Sequence, residues 1–359
     1  MPIEFAERIR RIPVYPAAEG YALAGDVALL ASNESPYPPS PAVVEAIANA
    51  LPSLNRYPDP TNSALRAALS DRYGVPAHRI AIGNGSCDIL LAAGEALLEP
   101  GAEVVYAWPS FSVYPHLAAA AGARAIEVPV DGEHRHDLDA MLGEITAATR
   151  LVLVCNPNNP TSTALPLDAI ADFIRAVPRH IAVILDEAYC EFNLLQDPDD
   201  SLDLLSRHTN LTLLRTFSKV YGLCGLRVGY GLCGSEDFRI AVDQVRQPFF
   251  CNVAAQAAAV EALKHQDEIA RRVERNLAER MELEDGLRTL GLSPARSMAN
   301  FVWFDLPEEP GDRAIVAALS ERGVLVRSGS ALGRENALRV TVGTEAENRK
   351  FLAALSELL

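Results

Sequence analysis

The sequence predicts an α/β protein in which a large unit, built on a mainly parallel sheet, is followed by a smaller α/β unit. Three observations carry that expectation. Between about residues 42 and 231, helical patterns alternate with short β-branched or apolar runs, as they do when strands lie side by side and helices cross between them. The runs are apolar enough to suit strands covered on both faces. A long helical stretch over 253–290, rich in Ala, Glu and Arg, then separates this region from a second, shorter set of strands and helices. At 359 residues the chain is long enough for more than one compact domain.

In chain order, the first thirty residues contain Pro13, Pro16, Gly20 and Gly25 and read as an extended arm. Pro36, Pro38, Pro39 and Pro41 punctuate the entry to a helix over 42–51. A helix over 89–98 follows a glycine-rich turn, and strands are predicted at 103–107, 124–128, 151–155, 181–185, 211–215 and 227–231. In the smaller unit the pattern predicts a strand at 300–305, a helix at 312–322, strands at 324–327 and 338–342, and a helix at 345–359. The division expected is an arm over 1–30, a large domain over 31–250 and a small domain over 251–359. Internal repeats and low-complexity segments are absent from the sequence.

Composition narrows the partners. The formal net charge is −15, which argues against nucleic acid, because phosphate backbones demand a basic face. A small anionic substrate remains compatible, since a few arginines in a cleft suffice. The six cysteines form no CxxC pair and read as buried thiols rather than as a disulfide framework. The charged N-terminus lacks the apolar core of a secretory signal, and no apolar run approaches the ~18 residues of a membrane span. A cytoplasmic protein without a membrane partner is expected.

Four short segments sit just past predicted strands or before a helix, where α/β sheets deliver chemistry. Gly83-Asn84-Gly85-Ser86-Cys87-Asp88 feeds a helix N-terminus and can cup an anion, although such turns are often only structural. Asn156-Pro157-Asn158-Asn159-Pro160-Thr161 makes a stiff polar turn, whether to present an amide or merely to turn the chain. Asp186-Glu187-Ala188-Tyr189 ends an apolar strand. A metal role for Asp186 is disfavoured, since no His, Cys or carboxylate cluster lies near it in sequence. Thr216-Phe217-Ser218-Lys219 ends another strand and is followed by Gly222, Gly225 and Arg227. Taken together, an amine, a carboxylate, hydroxyls, an amide and a guanidinium converge on one crevice. That set matches a site for pyridoxal phosphate, which needs an amine for a Schiff base, a carboxylate for its ring nitrogen and a cup for its phosphate.

At this point the chain resembles the fold-type I aminotransferases and, within them, the histidinol-phosphate aminotransferase group. The resemblance rests on Ala31-Ser32-Asn33-Glu34-Ser35-Pro36, Arg56-Tyr57-Pro58-Asp59, Gly83-Asn84-Gly85-Ser86, Asn156 to Thr161, Asp186-Glu187-Ala188-Tyr189, Arg215 to Lys219, Gly222 to Gly229, and Leu338-Arg339-Val340-Thr341-Val342-Gly343. It runs in order from about residue 30 to the C-terminus. It implies a seven-stranded, mainly parallel sheet between helices in the large domain, and pyridoxal phosphate as cofactor. Lys219 would carry the cofactor and then move the substrate's proton, while Asp186 would pair with the ring nitrogen. Asn159 and Tyr189 would bond the ring hydroxyl, and Phe111 would stack on the ring. Ser86, Cys87, Thr216, Ser218 and Arg227 would hold the phosphate. Tyr57 would reach the cofactor phosphate of a second subunit, which implies a homodimer. Arg339 would clamp a substrate carboxylate, with Tyr15, Asn33 and Arg327 as further substrate-binding candidates. The sequence departs from the group's usual pattern at Cys87 (usually Asp), Cys224 (usually Ala), Ser162 (usually Gly) and Phe111 (often Tyr), none of which removes a catalytic group.

For the substrate, the resemblance implies amino transfer between glutamate and imidazole-acetol phosphate, in histidine biosynthesis. The alternative is an aromatic, phenylalanine-type aminotransferase, since actinobacterial relatives of the group carry similar wording around Trp108-Pro109-Ser110-Phe111, Asn159-Pro160-Thr161-Ser162-Thr163 and Val177-Pro178. A decarboxylase of a phosphorylated amino acid shares this fold and much of this site. A non-catalytic regulator would ordinarily carry a DNA-binding extension or lack the lysine.

Overall fold

The computed structural model describes residues 3–5, 7–12, 14 and 25–359. Tyr15 therefore lies outside the described residues. The strands are β1 (Ala28–Leu29), β2 (Ile80–Gly83), β3 (Glu103–Trp108), β4 (Arg124–Pro129), β5 (Thr149–Cys155), β6 (Ala182–Asp186), β7 (Leu211–Thr216), β8 (Gly229–Cys233), β9 (Phe301–Asp305), β10 (Val324–Leu325), β11 (Arg327–Ser328) and β12 (Ala337–Thr341). The helices run from α1 (Pro41–Ala50), α2 (Ser63–Tyr73), α3 (Ser86–Leu97) and α4 (Tyr114–Ala121) through α5 (Leu138–Gly143), α6 (Leu167–Ala176), α7 (Leu202–Leu205) and α8 (Glu236–Val245). They continue with α9 (Val253–Ala262), α10 (Gln266–Thr289), α11 (Asp312–Glu321) and α12 (Glu345–Ser356).

The seven-stranded sheet has the order β2-β8-β7-β6-β5-β3-β4. Strands β4, β3, β5, β6 and β7 are mutually parallel, and β8 runs antiparallel to both β7 and β2. The mainly parallel sheet read from the sequence is thus present, with one reversed strand near its edge. Both faces are covered, as the apolar runs require. Val152, Val154, Val183, Leu185 and Leu213 belong to one core cluster, and Leu151, Leu153, Ile184 and Leu214 to the other. Fully burying each such side chain contributes about 1.5–3 kcal/mol.

Strand β2 escaped the sequence reading. Its four residues, Ile-Ala-Ile-Gly, are too short to separate from the helical patterns around them, and it holds its place by pairing with β8. The single helix expected over 253–290 is two. Helix α9 buries Ala255, Ala258, Ala259 and Ala262, and α10 buries Leu283 and Leu287 in another cluster with β9 and β12 residues. The chain turns at Leu263-Lys264-His265 because the two segments bury different faces against different partners. The strand expected at 324–327 is also split: β10 pairs in parallel with β1, and β11 pairs antiparallel with β12 in the three-stranded sheet β11-β12-β9. None of the described helices is long and apolar enough to cross a membrane.

Register sets the height of the functional residues. Cys155 at the end of β5 pairs with Asp186 at the end of β6, and Asp186 pairs with Leu214 of β7. One residue beyond this line Arg215 is fully buried, with Nε 2.8 Å from Glu187 and Nη1 3.0 Å from Asp199. Removing one partner of such a buried pair would strand a charge, so the pair locks the β6 and β7 ends together.

Candidate active site

The carboxyl ends of β5, β6 and β7, the amino end of α3 and the β11–β12 pair surround one cleft of about 430 Å³. At one end, the chain leaves β2 through Gly83-Asn84-Gly85 and starts α3 at Ser86. Gly85 caps the helix at φ 81, a conformation that glycine adopts without steric cost. The Asp88 carboxylate closes the turn by accepting from the Asn84 N–H at 3.0 Å. A Cβ at Gly85 would lie only 2.4 Å from Arg227 Nη2, so the glycine lets the guanidinium rest against the helix terminus. Arg227, expected to open a strand, instead sits before β8 in the left-handed region at φ 59. Its Nη1 donates to the Cys224 carbonyl at 2.9 Å and reaches Ser218 Oγ at 3.5 Å. Thr216 Oγ1 donates to the same oxygen at 3.0 Å. A helix N-terminus, two hydroxyls and a guanidinium make an anion cup.

Asp186 stands on the cleft floor. Its Oδ2 accepts from the Tyr114 hydroxyl at 3.0 Å and its Oδ1 from the Ala188 N–H at 3.2 Å. Burial pushes its carboxyl up to about 6. The Tyr114 and Ala188 hydrogen bonds and the Lys219 charge oppose that rise, and Glu187 adds to it. A buried carboxylate that ionises reluctantly favours a cationic partner above it.

Lys219 Nζ donates to the Ser32 carbonyl at 3.1 Å and lies 5.7 Å over the Tyr189 ring. Burial, followed by the positive charge of Arg339, lowers its amine to about 8, while Cys224 and Glu34 oppose the shift. A neutral amine, the nucleophilic form, is therefore accessible near neutral pH. The sequence contains three lysines, and the other two, Lys264 and Lys350, do not line the cleft.

Asn159 Oδ1 accepts from Arg339 Nη1 at 2.6 Å, and the Tyr189 hydroxyl accepts from Asn33 Nδ2 at 3.0 Å. Asn33 is itself pinned by Thr341, whose Oγ1 accepts from the Asn33 N–H at 2.9 Å. Phe111 closes the opposite side, edge-on to Tyr114 with ring centres 5.8 Å apart. Arg327 and Arg339 are direct partners across β11 and β12, and both line the cleft.

The cleft therefore gathers Ser86, Cys87, Phe111, Asn159, Asp186, Tyr189, Thr216, Ser218, Lys219 and Arg227 with Asn33, Arg327 and Arg339. Tyr57 is not among its lining residues. It is 81% exposed and stacks on Phe249 with ring centres 4.4 Å apart. Sequence reasoning missed Tyr114, which lies three residues after Phe111 in an apolar helix and reads as core. It also passed over Glu34, Ser112 and Leu332 as individual lining residues. Among the described residues, no His, Cys, Asp and Glu side chains gather as a metal-binding group.

Pyridoxal phosphate fits this set of side chains. The cleft offers one amine at Lys219, one buried carboxylate at Asp186, an aromatic face at Phe111 and an anion cup whose glycine admits Arg227.

Comparisons with known proteins agree with that fit. Residues 25–355 match the family described as aminotransferase class I and II. The aromatic amino acid aminotransferase of Streptomyces coelicolor is 42% identical over 347 residues, covering 96% of this chain and 95% of that protein. Histidinol-phosphate aminotransferase 2 of Pseudomonas fluorescens is 44% identical over 330 residues, covering 92% and 88%. Among solved structures, histidinol-phosphate aminotransferase from Sinorhizobium meliloti in complex with pyridoxal-5'-phosphate superposes with a TM-score of 0.86 at 30% identity, covering 99% of this chain and 97% of that one.

Proposed function

The chain belongs to the class I and II aminotransferases, which depend on pyridoxal 5'-phosphate, and from that premise we propose that it moves an amino group between glutamate or 2-oxoglutarate and histidinol phosphate or imidazole-acetol phosphate, the histidinol-phosphate aminotransferase reaction of histidine biosynthesis. When bound, the cofactor supplies an electron sink for the charge left as a proton leaves the substrate carbon. Everything else is asked of the chain's own side chains. Lys219 would anchor the cofactor and, once displaced by substrate, would serve as the base that takes and returns the proton of the substrate carbon. Asp186 holds a proton on the ring nitrogen. Asn159 and Tyr189 orient the ring through its hydroxyl, and Phe111 covers one face. Ser86, Cys87, Thr216, Ser218 and Arg227 retain the phosphate.

The observation that carries the substrate reading is the pairing of Arg327 with Arg339 across β11 and β12, both lining the cleft. Two guanidinium groups suit a pair of substrates that each bring two negative charges: glutamate with two carboxylates, and histidinol phosphate with a phosphate dianion. Phenylalanine brings one carboxylate to the same pair. The aromatic alternative draws on Phe111, Tyr189 and Leu332, which give a flat ring an apolar wall, and on relatives such as the Streptomyces coelicolor enzyme. Tyr15 and Asn33 belong to the proposed substrate contacts. The exposed Tyr57–Phe249 pair suits contact with a second copy, so a homodimer is part of the proposal. So is a cytoplasmic setting, in keeping with six free cysteines.

The deciding experiment compares kcat/KM for histidinol phosphate, phenylalanine, tyrosine and histidine, each with 2-oxoglutarate. A preference for histidinol phosphate of about a hundredfold, or ~2.7 kcal/mol of transition-state discrimination, is the expected outcome. Equal or better rates with phenylalanine would move the chain to the aromatic class.

A further inference from the structure

We propose that Tyr114 is a positioning residue for this reaction: its hydroxyl holds the Asp186 carboxylate ionised and aimed at the cofactor ring. The inference rests on the role assigned above to Asp186. Tyr114 is fully buried, Asp186 is buried beneath the cleft floor that it lines, and the Tyr114 hydroxyl lies 3.0 Å from Asp186 Oδ2. With Oδ1 bonded to the Ala188 N–H, each carboxylate oxygen has a fixed donor from the protein, and the plane of the group is set from two sides.

Two rings fix the donor in turn. Tyr114 meets Phe111 nearly perpendicular, at 86°, and Tyr106 at 61° with centres 5.7 Å apart. Phe111 lines the cleft and Tyr114 does not, so the helix start that supplies the stacking face also supplies, from behind, the hydroxyl on the floor. Burial makes ionisation of Asp186 costly, and a hydroxyl donating to the charged form offsets part of that cost. The groups facing Asp186 are Tyr114 from α4, Cys155 from β5, Cys87 from α3, Lys219 past β7, and its neighbours Glu187 and Tyr189. Cys87, Cys155 and Tyr189 are all pushed by burial towards their neutral forms, and Glu187 disfavours the carboxylate. Apart from the Lys219 charge, ionisation of Asp186 is favoured by the Tyr114 hydroxyl and the Ala188 N–H.

The test uses Tyr114→Phe, which removes the hydroxyl and keeps the ring, beside Tyr106→Phe, whose hydroxyl bonds Glu127 instead. Asp186→Asn and the Tyr114→Phe/Asp186→Asn double variant complete a cycle. We expect Tyr114→Phe to lower kcat about tenfold with the glutamate KM within twofold, and to weaken pyridoxal phosphate binding several-fold by equilibrium dialysis. The acid limb of cofactor binding, followed by absorbance, should move to higher pH. In the Asp186→Asn background the hydroxyl should have little left to do, so the double variant should match the single one. Tyr106→Phe should behave as wild type. If Asp186→Asn collapses the rate while Tyr114→Phe keeps wild-type kcat, cofactor affinity and acid limb, Tyr114 is only core and the proposal fails alone. If Asp186→Asn leaves the rate unchanged, the role of Asp186 fails and this inference falls with it.

Discussion

Arg339 Nη1 lies 2.6 Å from Asn159 Oδ1, tying the guanidinium of β12 to the loop that follows β5. The same arginine also donates to the Ala31 carbonyl. One side chain therefore joins the C-terminal sheet, the floor loop of the cleft and the segment entering the large core. Asn159→Ala should both loosen the cofactor and misplace Arg339. A lost hydrogen bond to a charged group costs about 1.5–3 kcal/mol, so kcat/KM for glutamate should fall roughly 10- to 100-fold. Steady-state kinetics with saturating cofactor check this, and a loss rescued entirely by added cofactor would leave Arg339 out of it.

Arg327 reports on substrate choice. Arg327→Ala should lower kcat/KM for histidinol phosphate about a hundredfold and for phenylalanine less than tenfold if, as proposed, Arg327 and Arg339 together hold the phosphate dianion. Equal losses for both donors would make Arg327 a general carboxylate or structural group.

Tyr57 is legible in the sequence only through the resemblance, and the structure leaves it on the surface against Phe249. If a second copy is its destination, Tyr57→Ala should weaken cofactor binding several-fold although the residue is outside the cleft of its own chain. Cofactor titration and sedimentation of the wild type test the two halves of this claim. A monomeric, fully active wild type would contradict it.

The lowered amine of Lys219 gives a pH dependence with a definite sign. Apoprotein should capture pyridoxal phosphate faster as pH rises through about 8, then level off, whereas an ordinary lysine would keep gaining up to about 10.4. Between those values the unfolded chain binds the proton that the folded chain has released, so this group's contribution to apoprotein stability rises with pH across that window. Stopped-flow absorbance from pH 6 to 10 measures the capture rate, and a continued climb beyond pH 9 would show that the amine is not depressed.

Much of this site could be read before the fold was known, because residues at strand ends carry their chemistry in short contiguous strings. Asp186 and the Thr216-to-Lys219 segment follow apolar runs that read as buried strands, and the glycines before α3 announce a helix N-terminus. What escaped depends on packing between distant segments. Tyr114 reads as one more apolar helix residue until its hydroxyl is seen under Asp186. Asn33 reads from the sequence only as a substrate-binding candidate, and the fold adds that its amide donates to Tyr189 and its backbone is held by Thr341, 308 positions away. The break at Leu263-Lys264-His265 carries no proline or glycine, so only the different partners of α9 and α10 reveal it.

The proposed function requires one lysine, Lys219 three residues past β7, to hold the cofactor in this cleft. Borohydride reduction of the loaded protein, followed by digestion and peptide mass mapping, tests it directly. We expect a single pyridoxyl group on the peptide containing Lys219, and its loss together with turnover in Lys219→Ala. A pyridoxyl group on Lys264 or Lys350, or wild-type turnover without Lys219, would contradict it.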